Sequence, residues 1–286
     1  MKSFRYVLFV LLFTATAANA IIIRGGVPDS KYLVPENAFP ALADLPFEGH
    51  GTLIAKQWVL TAAHAVQMMR EMPQHRYVII AGKQRQVSRI VLYPDYLANA
   101  AKFNQLFKDL KSGDAATWMA RYASIRAGLH DIALLELAKP VDDVKPVELY
   151  RGSSESGRIV EIVGKGATGN SLVGTAEDAP HRTKLRRAYN RIVEAKDQWI
   201  YYTFDCGSQA LPLEGVTGDG DSGGPVLISD KGVWKLAGLA QGLYGKKSDL
   251  LAMRAGTFRL GVCGQQISSS RVSYYARWIE DTIRKP

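Results

Sequence analysis

Short apolar runs separated by turn residues dominate the chain. Residues 51–54, 58–61, 77–81, 87–92, 132–137, 159–163, 199–204, 226–228 and 234–240 are rich in Val, Ile, Leu and aromatic side chains, with Gly, Pro, Asp or Lys-Gln between them. Such runs predict strands, and many short strands at close spacing predict an all-β barrel or sandwich. Two stretches break this pattern. Phe103, Leu106, Phe107 and Leu110 recur at helical spacing until Ser112-Gly113, where Asp114 can cap a second helix carrying Trp118, Tyr122 and Ile125 on one face. Near the end, Val272, Tyr275, Ile279 and Ile283 predict an amphipathic helix that packs on the body. The Pro-containing segment 139–146 divides the chain beyond residue 20 into nearly equal halves, 21–145 and 146–286.

Residues 1–20 read as an export signal. Lys2 and Arg5 precede an apolar run from Val7 to Phe13, and Ala18-Asn19-Ala20 is a small-x-small cleavage site. That run is too short to span a bilayer, which takes roughly 20 apolar residues. The expectation is therefore an exported protein, periplasmic or extracellular, with no stable membrane insertion and Ile21 as its simplest first residue. The formal charge of +9 is spread along the chain. Its densest basic stretch, 181–191, alternates with Leu185, Ala188 and Ile192 and predicts the solvated face of a strand, so nucleic acid is not an expected partner. Cys206 and Cys263 are the only cysteines, and an oxidising compartment predicts a disulfide between them. The five histidines lack zinc-type spacing, and no metal is expected.

The candidate chemistry lies in three places. "GDGDSGGP" sets Ser222 among glycines and fits G-x-S-x-G. An α/β-hydrolase elbow needs a histidine after the serine, and every histidine here precedes it. The order His, Asp, Ser is available instead. "WVLTAAHA" places His64 just after a strand among small neighbours. "HDIALLEL" places Asp131 at the start of an apolar strand, where a carboxylate needs a partner such as an imidazole Nδ1–H. Either residue alone reads as structural; together, in one order, the three point to nucleophilic catalysis.

These blocks, with "VSRIVLYPDY", "IVEIVGKGATGN" and the final "SYYARWIED", resemble the trypsin/chymotrypsin family of serine endopeptidases, most of all its exported bacterial members. The resemblance implies two antiparallel β-barrels with the active site between them, a helical insertion in the first half and a C-terminal helix. It implies hydrolysis of protein or peptide substrates through an acyl-enzyme, with no cofactor. Ser222 would be the nucleophile, His64 the general base and Asp131 its orienting carboxylate, and the N–H groups of Gly220 and Ser222 the oxyanion hole. Asp221 would pair with a buried N-terminal amine, that of Ile21, or of Ile22 or Ile23 after trimming. Val216 would sit at the base of the specificity pocket and Gln241-Gly242-Leu243 along the substrate groove.

Several positions depart from the family pattern. Ala65 stands where a cysteine usually follows the histidine, and Gln241-Gly242-Leu243 where the family has Ser-Trp-Gly. Val216 argues against cleavage after Arg or Lys, although Glu214 and Asp219 lie close by in sequence. The helical stretch 97–127 lengthens the interval from His64 to Asp131; by family position it would flank the substrate cleft, where we expect it to cover barrel surface more than to shape specificity. A catalytically inactive relative that binds a partner, and an esterase on the same fold, are the alternative functions. The sequence leaves the oligomeric state open.

Overall fold

A computed structural model describes residues 21–109, 113–175, 184–243 and 246–284. His181 and Arg182 of the basic stretch, with residues 1–20, where an export signal is expected, lie outside the described residues. Two closed six-stranded barrels form the body. In the first, strands Leu42–Asp44, His50–Ala55, Trp58–Thr61, Ala133–Leu137, Lys83–Leu92 and Tyr77–Ile80 succeed one another around the wall. In the second, the order is Arg186–Lys196, Trp199–Thr203, Gln266–Arg271, Val233–Leu243, Pro225–Asp230 and Ile159–Gly164. Neighbouring strands in both barrels pair antiparallel, the all-β, two-barrel fold the sequence predicts. Strand Ile21–Ile23 joins the second half instead of the first, pairing with Gly215–Val216 and Thr168–Asn170.

Strand Trp58–Thr61 shows why so many runs are continuously apolar. Val59 faces the core of the first barrel with Leu135 and Ala133. Trp58 and Leu60 face the other way, into a seam with Leu134, Val163, Leu227 and Leu239 that joins the barrels. Both faces of the strand are thus dry, and each fully buried Val or Leu side chain contributes about 1.5–3 kcal/mol of transfer free energy.

Five α-helices decorate the described residues: α1 (Gln67–Glu71), α2 (Tyr96–Lys108), α3 (Ala115–Ala127), α4 (Lys247–Ala255) and α5 (Val272–Arg284). The α3 N-terminus begins where Asp114 predicts it, with Oδ1 accepting from the N–H groups of Ala116 and Thr117 at 2.9 Å each. Val272, Tyr275 and Ile279 of α5 complete the seam between the barrels. Helix α4 is not among the elements that periodicity predicts. Its Leu250 packs with Leu106, Trp118 and Tyr122, so the helical insertion of the first half rests on the second barrel. Cys206 and Cys263 are joined by a disulfide with Cα atoms 5.8 Å apart. The basic stretch is not wholly a solvated face. Arg186 is fully buried and donates from Nε and Nη2 to the two oxygens of Asp29, at 2.8 Å each.

Candidate active site

His64 and Asp131 meet beside the seam. The segment after strand Trp58–Thr61 turns at Ala62-Ala63, both buried, and small side chains there let the imidazole stand at the barrel edge. Asp131, 5% exposed, approaches from the segment before strand Ala133–Leu137. Its Oδ2 lies 2.6 Å from His64 Nδ1, and its Oδ1 accepts the His64 backbone N–H at 2.9 Å. Burial opposes charge on the imidazole, but the charge and hydrogen bond of Asp131, helped by Glu48, outweigh it and raise the His64 pKa.

Asp131 is itself held from the second barrel. Its carbonyl accepts from Gln241 Nε2 at 2.7 Å and from Ser270 Oγ at 3.1 Å. The family pattern places Gln241 in a substrate groove; here its amide steadies the carboxylate partner of His64. Gly242 lies beside it along the same strand, and Leu243 pairs through its backbone with Ile267.

Ser222 reaches the same place from the second barrel. Its carbonyl accepts the N–H of His50 at 2.7 Å. Gly49 passes so close that a Cβ there would lie 2.9 Å from that carbonyl oxygen and 3.0 Å from the side chain of Ala65, the residue after His64. Gly223 (φ 75°) is pressed against Thr61 and Ala62 with no room for a side chain. Among the described residues the Ser222 hydroxyl makes no hydrogen bond, to His64 or otherwise, and the backbone N–H groups of Gly220 and Ser222 donate to no protein acceptor. Gly220 adopts φ 84°, which favours glycine. Two N–H groups without a protein acceptor beside a serine hydroxyl are an arrangement able to receive an anionic oxygen; in an oxyanion hole one such donor is worth about 3–4 kcal/mol of barrier.

Asp221, 1% exposed, lies behind this turn. It accepts from the N–H of Gly166 at 2.7 Å and of Gly218 at 2.9 Å, and its Oδ1 is 3.6 Å from His50 Nε2. His50 is fully buried, and its Nδ1 is 3.1 Å from Asp44. No motif in the sequence assigns His50 a role; its place between two small glycines was the available signal. Val216 is fully buried and paired with Ile22. Neither nearby acid joins it: the Glu214 carboxylate accepts the N–H of Leu211 at 2.8 Å, and Asp219 is exposed. Burial pushes the Glu214 pKa up to about 7.

A cavity of about 620 Å³ opens beside His64 and Asp131. Tyr96, Phe103 and Phe107 of α2 and Tyr122 of α3 wall it on one side, Leu250 and Met253 of α4 on another. The helical insertion therefore flanks the cleft, as its family position implies, and its side chains line this cavity. It does so because its aromatic face docks on α4 across the barrel boundary. Among the described residues no metal-binding cluster occurs, and no helix is long and apolar enough to cross a membrane.

Comparisons with known proteins agree with this architecture. A family model described as Trypsin matches residues 30–253. The chain is 24% identical to Trypsin II-P29 of Gallus gallus, over 96% of this chain and 98% of that protein. It is 26% identical to the snake venom serine protease KN14 of Trimeresurus stejnegeri, over 78% of each. The solved structure of neuropsin, a serine protease expressed in the limbic system of mouse brain, shares the fold with a TM-score of 0.60 at 19% identity. It covers 88% of this chain and 98% of its own. The chain belongs to the trypsin family of serine proteases.

Proposed function

We propose that the protein is an exported serine endopeptidase using His64, Asp131 and Ser222. Ser222 Oγ attacks the peptide carbonyl as His64 Nε2 takes its proton, and the N–H groups of Gly220 and Ser222 receive the oxyanion. His64 then protonates the leaving amine, giving an acyl-enzyme that water hydrolyses by the same steps in reverse roles. Asp131 keeps the Nδ1 proton of His64 in place and stabilises the imidazolium. The 2.6 Å contact between His64 and Asp131, at a turn packed directly on the Ser222 loop, carries this reading. It is tested by Ser222→Ala, which is expected to abolish fluorophosphonate labelling and lower peptide turnover by about 10⁶-fold. Wild-type turnover in the variant would overturn it.

Cleavage after Ala20 would free the amine of Ile21, whose ammonium would pair with Asp221. One observation supports a buried amine here: Ile21 and Ile22 are fully buried. With Val216 in place of a carboxylate, small or apolar residues are the expected choice just before the scissile bond. A binding-only relative is the second reading, favoured by the absence of a Ser222–His64 hydrogen bond. Covalent labelling of Ser222 separates the two, because only a competent Ser–His pair reacts; comparing turnover of a peptide amide and a simple ester separates the esterase alternative.

A further inference from the structure

The cavity beside His64 holds an arginine that the reaction does not use. Arg126, in the last turn of α3, is 7% exposed and lines the cavity together with Trp199 and Ser268. Its guanidinium carbon lies 4.1 Å from the centroid of the Trp199 ring, and Nη2 donates to Ser268 Oγ at 2.6 Å. A flat indole face and one hydroxyl fix the plane of the guanidinium. Such a plane presents its N–H donors as a fork that matches the two oxygens of a carboxylate.

The path of a substrate brings a side chain to it. Strand Val233–Leu243 pairs on one edge with Gln266–Arg271 as far as Leu243, but on the other edge its ladder with Pro225–Asp230 ends at Leu239. At Gln241-Gly242 this open edge borders the cavity, which also reaches His64. An extended peptide can add to such an edge through its main chain. Its side chains then alternate between the two faces, and one set enters the cavity. Five acidic or basic lining groups bear on what is accepted: His64 and Asp131, which are paired with each other; Arg70; Glu71, which accepts from Gln67; and Arg126. Arg126 is the one oriented by both an aromatic face and a hydroxyl.

We propose that Arg126 is a specificity-determining residue, and that the cavity accepts an acidic side chain, Asp or Glu, on the acyl side of the scissile bond, at a position beyond the residue that adjoins it. The proposal rests on the endopeptidase reading and adds a substrate class to it. The insertion 97–127, which carries Arg126, thereby supplies a recognition group that neither barrel strand set contains.

The experiment uses fluorogenic peptides that differ only by Glu or Gln at each of the four acyl-side positions. At one position, kcat/KM is expected to favour Glu by about tenfold or more, the scale of a charge-assisted hydrogen bond. Arg126→Gln should bring that ratio toward one, and Arg126→Lys should retain part of it. The ratio is read within each variant, so a general loss of stability does not imitate the effect. Ser268→Ala, which loosens the fork without removing the charge, should lower the ratio less. Binding of the same peptides to Ser222→Ala provides a readout independent of turnover. Peptides cleaved with equal rates for Glu and Gln at every position would overturn the acidic subsite and leave the endopeptidase reading standing. Preferential binding of the Glu peptide without cleavage by the wild type would do the reverse. A ratio unchanged in Arg126→Gln would overturn the role of this residue.

Discussion

The geometry around His64 makes a prediction about pH that has a definite sign. His64, the proposed general base, must be neutral to accept a proton, so activity is expected to rise with pH through the His64 pKa. Asp131 raises that value against the opposing effect of burial, so the rise should be centred above the ordinary imidazole value of about 6.5. Asp131→Asn removes the charge and reverses the favoured tautomer. It should lower kcat by about 10⁴-fold and move the midpoint of the residual activity to lower pH, measured as a kcat/KM–pH profile. A midpoint that stays in place would mean that Asp131 does not set the imidazole's proton affinity. The contact of His64 with Asp131, and the Ser222 turn packed beside them, are legible in the sequence because each residue stands in a distinctive local pattern. Gln241 is not, for the opposite reason: its amide reaches Asp131 from a different barrel, 110 positions away.

Elements with alternating or continuous apolar runs are legible, as strand Trp58–Thr61 and helix α5 show. Strand Gln266–Arg271 is not, because its centre is Ser268-Ser269-Ser270, all fully buried. Serine in a run predicts a turn. Here each hydroxyl is satisfied by a distant group: Ser268 by Arg126, Ser269 by Tyr202 and Ser270 by Gln241. Helix α4 leaves no trace in the pattern because its burial centres on Leu250 and Asp249, too few positions to set a period. Helix α3 is legible from its cap, and the cap can be tested. Asp114→Ala removes an acceptor from two N–H groups and should weaken the helix start, seen as faster amide exchange across Ala115–Ala127. Equal exchange in variant and wild type would show that packing on α4 alone holds the helix. If Arg126 recognises substrate, the same variant should also soften the Glu-over-Gln preference, since the helix carries the guanidinium.

At the scale of the whole molecule, the two halves meet at the buried His50 and Asp221 behind the Ser222 turn. His50 belongs to the first barrel and Asp221 to the second, and strand Ile21–Ile23 packs with the second half. The N–H of Lys165 donates to His50 Nε2 at 3.1 Å, so in this arrangement the imidazole proton sits on Nδ1, toward Asp44. The Lys165 ammonium reaches Asp44 at 3.2 Å. Burial disfavours a second proton on His50, but the carboxylates of Asp221 and Asp44 outweigh it and raise the pKa. A raised histidine pKa contributes stability that is complete below about pH 6.5 and lost as pH rises through the folded-state value. Glu214, with its pKa near 7, also favours the folded state at lower pH, so the His50 contribution must be read as a difference between wild type and His50→Gln. The N-terminal ammonium of Ile21, in the proposed mature form, would offer Asp221 a second positive partner. Two cations that neutralise the same carboxylate weaken each other's binding, and the coupling is reciprocal. The pH dependence of Tm attributable to His50 should therefore be smaller in protein beginning at Ile21 than in protein with one residue added before it. The extended protein should also be less active at neutral pH and recover part of the difference as His50 is protonated. Equal Tm–pH curves and equal activity, with the intact mass confirming that the added residue is retained, would show that the amine never reaches Asp221. In that case His50 and the N–H groups of Gly166 and Gly218 hold Asp221 and the Ser222 turn without it.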